Sequence, residues 1–164
     1  MPEENNPPHD LVALLRQQWQ QERPDLDTGA MEVVGRIAQI ASRWDAELRE
    51  TLKPFQLSYT DFDILATLRR SGAPFELTPT ALLESVLLTS GALTTAMKRL
   101  ERSGYLTRID DPADRRSRRA RLTDQGIALA EEAAAVRFRV AAEQLGTMDE
   151  SDRSELIRLL QQLA

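Results

Sequence analysis

Residues 89–122 read TSGALTTAMKRLERSGYLTRIDDPADRRSRRARL. It joins a capped helix to an arginine-rich hairpin. Thr89 or Ser90 can cap a helix that runs to about Ser103, and Gly104 stands where a left-handed residue ends one. At 100° per residue, Leu100, Met97, Ala96 and Thr89 fall within about 60° of Leu93, which makes them the inward face. The opposite face carries Gly91, Thr95, Lys98 and Arg102, with Thr94 and Arg99 on its flanks. It is small near the N-terminus and basic toward the C-terminus. Such a face lets the helix start approach a groove closely while Lys and Arg meet phosphates. Ser90, Thr94 and Thr95 add groups that can bond base edges or touch a thymine methyl.

Residues 105–109 and 118–122 have β-favouring character and flank an Asp-Asp-Pro-Ala-Asp turn, so they predict a hairpin, the wing of a winged helix. Arg115 and Arg116 at its tip could reach into a minor groove, whose negative potential deepens where it narrows. Asp114 beside them holds the turn and orients an arginine. Arg118, Arg119 and Arg121 alternate along a strand, so Arg118 is placed toward a duplex and at least one of the others away from it. The charge distribution supports this reading. Residues 98–121 hold nine Lys or Arg against four Asp or Glu, a local +5, which leaves −10 for the remainder of a chain of net charge −5. A basic tip on an acidic body suits docking onto a polyanion. A solvated hairpin is the blander alternative, and the small-then-basic helix directly upstream argues against it.

Upstream, Thr78-Pro79 opens a short helix to about Val86, Leu87 and Leu88 form a buried link, and two helices so joined make a helix-turn-helix. Ser58 caps the helix before it, residues 60–70, with Asp61 in the first turn and Ser71-Gly72-Ala73-Pro74 closing it. Residues 10–22 form an amphipathic helix with Leu11, Leu14, Leu15, Gln18 and Trp19 on one face, broken by Pro24. Val34, Ile37, Ala41, Trp44 and Leu48 then recur at helical spacing across about 30–52, a stripe that needs a covering helix. Thr123-Asp-Gln-Gly starts a long alanine-rich helix, and a last one begins near Glu150. Residues 1–9 are expected to be disordered and residues 10–164 to form a single domain. The fold class is mainly α with a small β-hairpin.

Composition removes much enzymology. There is no cysteine, and His9 is the one histidine. Disulfides, thiol nucleophiles, and metal centres built on Cys or His are therefore not expected, and no cofactor is implied. Asp61 and Asp63 lie at i and i+2, on different helix faces, so they do not form an acid/base pair. Neither a membrane span nor a signal peptide is supported, which makes a cytoplasmic protein the expectation.

The segments Leu77-Thr-Pro-Thr, Thr89-Ser-Gly-Ala-Leu-Thr, Arg99-Leu-Glu-Arg-Ser-Gly-Tyr-Leu and Asp114-Arg-Arg, closed by Leu122-Thr-Asp-Gln-Gly126, resemble the MarR family of bacterial transcription regulators. The resemblance runs from about Ala30 to the C-terminus. It implies a homodimer held by helical regions 10–54 and 123–164, with residues 55–122 as a winged helix-turn-helix lobe flanked by those dimerisation helices. It also implies sequence-specific binding of double-stranded DNA at a palindromic operator, usually as a repressor relieved by a small-molecule effector. The residues expected to contact DNA, from the helix face and the hairpin, are Ser90, Gly91, Thr94, Thr95, Lys98, Arg102, Arg115, Arg116 and Arg118. The N-terminal helix with Trp19, together with Arg23-Pro-Asp-Leu-Asp27 and Tyr59-Thr-Asp-Phe-Asp-Ile-Leu, is similar to the urate-responsive branch. That branch forms its ligand site from a tryptophan, an aspartate and a recognition-helix arginine. Trp19 and Asp63 match the first two, and Ala96 stands at the third. The expected effector site is Trp19, Arg43, Trp44 and Asp63. The alternative is a winged-helix module that docks an acidic protein partner without binding DNA.

Overall fold

The computed structural model describes residues 10–86, 89–111 and 118–163. In chain order they form α1 (Leu11–Glu22), α2 (Thr28–Leu52), a short 3-10 turn (Lys53–Phe55), α3 (Tyr59–Arg70), β1 (Glu76–Leu77), α4 (Pro79–Glu84), α5 (Ser90–Arg102), β2 (Leu106–Asp110), β3 (Arg118–Leu122), α6 (Asp124–Gln144) and α7 (Glu150–Gln161). Among the described residues no helix is long and apolar enough to cross a membrane. The chain is mostly helical with a small antiparallel sheet, ordered β1-β3-β2. The expected hairpin is therefore two strands of three. β1 escapes sequence patterning because two residues cannot show alternation, yet it pairs Glu76 with Arg121 and Leu77 with Ala120.

The helices begin where short polar side chains can satisfy free backbone N–H groups. Ser58, Thr78, Thr89, Thr123 and Asp149 each cap one, and Pro79 occupies the first turn of α4. α5 ends in a Schellman arrangement: Gly104, at φ +78°, donates to the Glu101 carbonyl and Tyr105 to the Leu100 carbonyl, at 3.1 and 3.0 Å. That turn delivers the chain straight into β2.

The described residues form two compact units, one ending at Glu47 and the other beginning at Leu48. The second holds the buried core, in which Ile64, Leu65 and Leu68 of α3 meet Leu82 of α4, Leu93, Met97 and Leu100 of α5, Leu106 and Leu122 of the sheet, and Ala130 and Ala133 of α6. Burial at 93, 96, 97 and 100 follows the helical period and turns the other face of α5 outward. In the first unit no described residue is buried, and Leu14, Leu15, Trp19, Met31, Val33, Val34 and Ile37 are exposed.

Candidate nucleic-acid interface

The outward face of α5 is built as expected. Ser90, Gly91, Thr94, Thr95, Lys98 and Arg102 are all exposed. A methyl group placed on Gly91 would meet nothing within 4 Å, so no packing inside the protein demands glycine there. Thr94 and Thr95 donate their hydroxyls to the Ser90 and Gly91 carbonyls at 2.9 and 3.0 Å, which leaves oxygen lone pairs and methyl groups facing out. Those groups suit an amino donor or a thymine methyl. Near the other end, Arg102 donates through Nε to the Lys98 carbonyl at 3.2 Å, and Lys98 makes no ion pair among the described residues.

The strand arginines divide by side. Ala120 and Leu122 point into the core, so Arg119 and Arg121 lie on the opposite surface of β3. There both meet Glu76 of β1: Arg121 Nε donates to it at 2.7 Å and Arg119 Nη1 at 3.4 Å. Arg119 also donates to the buried Asp111 at 3.0 Å, and this bond holds its guanidinium more firmly protonated than usual. Two of the arginines thus fasten the sheet. Arg118 is exposed, bonded to the Arg108 carbonyl at 3.1 Å and 3.5 Å from Asp110, its cross-strand partner. Arg115 and Arg116, with Asp114, lie outside the described residues.

Arg99, expected on the flank of the face, is committed elsewhere. Its guanidinium grips Asp61 of α3, and Asp61 closes a capping box with Ser58. Sequence reasoning found Asp61 in a favourable first-turn position but missed this partner 38 residues away.

Of the residues expected to bind an effector, Trp19 and Asp63 each line a cavity within their own unit. Trp19, 55% exposed, lines a cavity of about 390 Å³ between α1 and α2, with Leu15, Leu26 and Met31. Asp63 lines another, of about 440 Å³, between α3 and α6, with Phe62, Arg70, Arg137 and Phe138. Burial pushes the Asp63 carboxyl above its ordinary range, with Arg70 pulling the other way. Arg137, absent from the sequence expectation, keeps Nη1 buried without a hydrogen-bond partner among the described residues. Arg43 is exposed and 3.9 Å from Glu47, while Trp44 is half-buried with an indole nitrogen that has no hydrogen-bond partner among the described residues.

Known proteins match this arrangement. Residues 55–117 match the model of the MarR family. The HTH-type transcriptional regulator PecS of Dickeya dadantii is 41% identical over 72% of this chain and 71% of its own length. The HTH-type transcriptional regulator SarZ of Staphylococcus aureus is 31% identical over 66% of this chain and 70% of its own. A mutant of Escherichia coli MarR complexed with operator DNA superposes with a TM-score of 0.69 at 24% identity, covering 88% of this chain and 96% of that one.

Proposed function

The chain belongs to the MarR family of DNA-binding transcriptional regulators, and on that premise we propose that it acts as a cytoplasmic homodimer that represses transcription from a palindromic operator until a small molecule releases it. The observation that carries this reading is the outward face of α5, small at Gly91 and basic at Lys98 and Arg102, on an acidic chain. Its relatives are transcriptional regulators rather than enzymes. Arg115, Arg116 and Arg118 are proposed to supply the wing's phosphate or minor-groove contacts.

Dimerisation is supported by the exposed apolar side chains of the terminal helices. Val33, Val34 and Ile37 of α2, and Ile157, Leu160 and Leu163 near the C-terminus, face solvent in the single chain. An exposed apolar surface of this kind marks an interface. Selection of duplexes from a random-sequence library is expected to enrich inverted half-sites about 10 base pairs apart, because two-fold protein symmetry is mirrored in the site. Sedimentation should give twice the 18.5 kDa chain mass. Failure to enrich any sequence, with binding of acidic proteins that is lost on joint Arg115→Ala and Arg116→Ala substitution, would favour the protein-docking module.

The effector reading rests on Trp19 and Asp63, each in its own cavity, and on Arg43 and Trp44. The α3–α6 cavity combines an apolar lining with the uncommitted Nη1 of Arg137, a donor for an anion. A ligand shifts the DNA-competent population only by its differential affinity for the two states. A thermal-shift screen of small aromatic and anionic metabolites is expected to give hits that also weaken DNA binding and that fade in Asp63→Ala and Trp19→Ala. Hits that persist unchanged in both variants would place the effector elsewhere.

A further inference from the structure

We infer that Arg99 is a positioning residue for DNA recognition: it holds α5 at its working orientation by clamping it to the N-terminus of α3. The inference rests on the reading of α5 as the helix that meets DNA. From sequence, Arg99 stands beside Lys98 on the flank of that face, outside the residues expected to contact DNA. The structure gives it a job of its own. Nε of Arg99 lies 3.1 Å from both carboxylate oxygens of Asp61, and Nη2 donates to Oδ1 at 2.6 Å and to Ser58 Oγ at 3.3 Å. Asp61 Oδ2 in turn accepts the Ser58 backbone N–H at 3.1 Å and its hydroxyl at 2.6 Å, while Ser58 Oγ accepts the Asp61 N–H at 3.2 Å. The cap of α3 and the last turn of α5 therefore share one closed set of charge-assisted bonds, in a fork geometry that fixes angle as well as distance.

Exposure shows which partner depends on the other. The Asp61 side chain is 4% exposed and that of Arg99 46%, so the carboxylate has little water to fall back on and the guanidinium has some. A buried negative charge beside a helix meant for a polyanion weakens the attraction of that face. It makes sense as a seat for Arg99. Capping alone requires only an acceptor, which an uncharged amide also provides. The charge is what the clamp adds.

This yields a test of opposite sign. A duplex enriched by the wild-type protein and a random-sequence duplex of equal length are titrated with wild type, Asp61→Asn, Arg99→Lys and, as a phosphate-contact control, Lys98→Ala, at several salt concentrations, with unfolding midpoints measured in parallel. The amide introduced by Asp61→Asn retains an acceptor for Ser58, so that variant is expected to remain folded. It should nevertheless bind the enriched duplex about tenfold or more weakly, comparable to losing the readout of a base pair. Its affinity for the random duplex and its log-log salt slope should stay near wild type. Arg99→Lys, which keeps the charge and loses the fork, should behave the same way, whereas Lys98→Ala should lower the slope. The inference is overturned if Asp61→Asn binds as tightly as wild type or more so, as removal of a negative charge alone dictates, or if Arg99→Lys keeps full affinity as a phosphate contact would. Equal losses on both duplexes that follow a fall of the midpoint to the assay temperature overturn it too, assigning the clamp to stability alone.

Discussion

Alanine at position 126 is expected to destabilise the protein by at least about 3 kcal/mol and to remove DNA binding at temperatures where the fold survives. A Cβ on Gly126 would lie 1.9 Å from the Tyr105 carbonyl oxygen and 2.9 Å from its carbon. Both are backbone atoms, and neither can swing aside as a side chain does. They are also tied in place: Tyr105 donates to the Leu100 carbonyl at 3.0 Å and accepts the Thr123 N–H at 3.1 Å, while the Thr123 hydroxyl donates to the Gly104 carbonyl at 2.7 Å. The end of α5, the start of β2 and the start of α6 meet at this point. Relief requires moving the start of α6 away from the junction, which disturbs the sheet and the recognition helix together. Overpacked sites that relax through side chains cost about 1–3 kcal/mol, so a backbone collision belongs at the upper end or beyond. Urea denaturation and duplex titration check this, and an unchanged midpoint would show that the junction is looser than described.

The joint substitution Lys98→Ala and Arg102→Ala is expected to leave stability almost unchanged and to weaken DNA binding on the order of a thousandfold at physiological salt. Both side chains are exposed, and the bond of Arg102 to the Lys98 carbonyl is the only hydrogen bond either side chain makes among the described residues. The magnitude follows from counterion release. Each phosphate contact contributes about 0.9 to the log-log salt slope, so two cations on each subunit of a dimer remove about 3.6 from it. Unlike Asp61→Asn, this variant loses affinity for all duplexes alike, since phosphates carry no sequence information.

Elements governed by local chemistry were legible in the sequence. The α5 face follows from the spacing of Leu93, Met97 and Leu100, and its termini from Thr89 and Gly104, because capping and helical period act within a few residues. The helix of residues 10–22 and the strand of residues 118–122 follow in the same way. What stayed hidden depends on partners distant in sequence. β1 is strand only because β3 lies beside it, so Glu76 could not be recognised as the acid that takes Arg119 and Arg121 out of the basic patch. The grip of Arg99 on Asp61 spans 38 positions, and no spacing rule connects them. Gly126 reads locally as an odd choice for the first turn of a helix, and its cause sits 21 residues earlier in the Tyr105 carbonyl. The arginine count was thus visible at once, and the division of those arginines between sheet and solvent needed the fold.

The exposed face of α5 and the wing are proposed to engage the phosphates and bases of duplex DNA, and the affinity of the wild-type protein for its enriched duplex between about 50 and 200 mM salt reads this out. Six or more phosphate contacts per dimer predict a fall of about a thousandfold or more across that range. An affinity that stays flat over the same range would mean that this surface does not meet the phosphates.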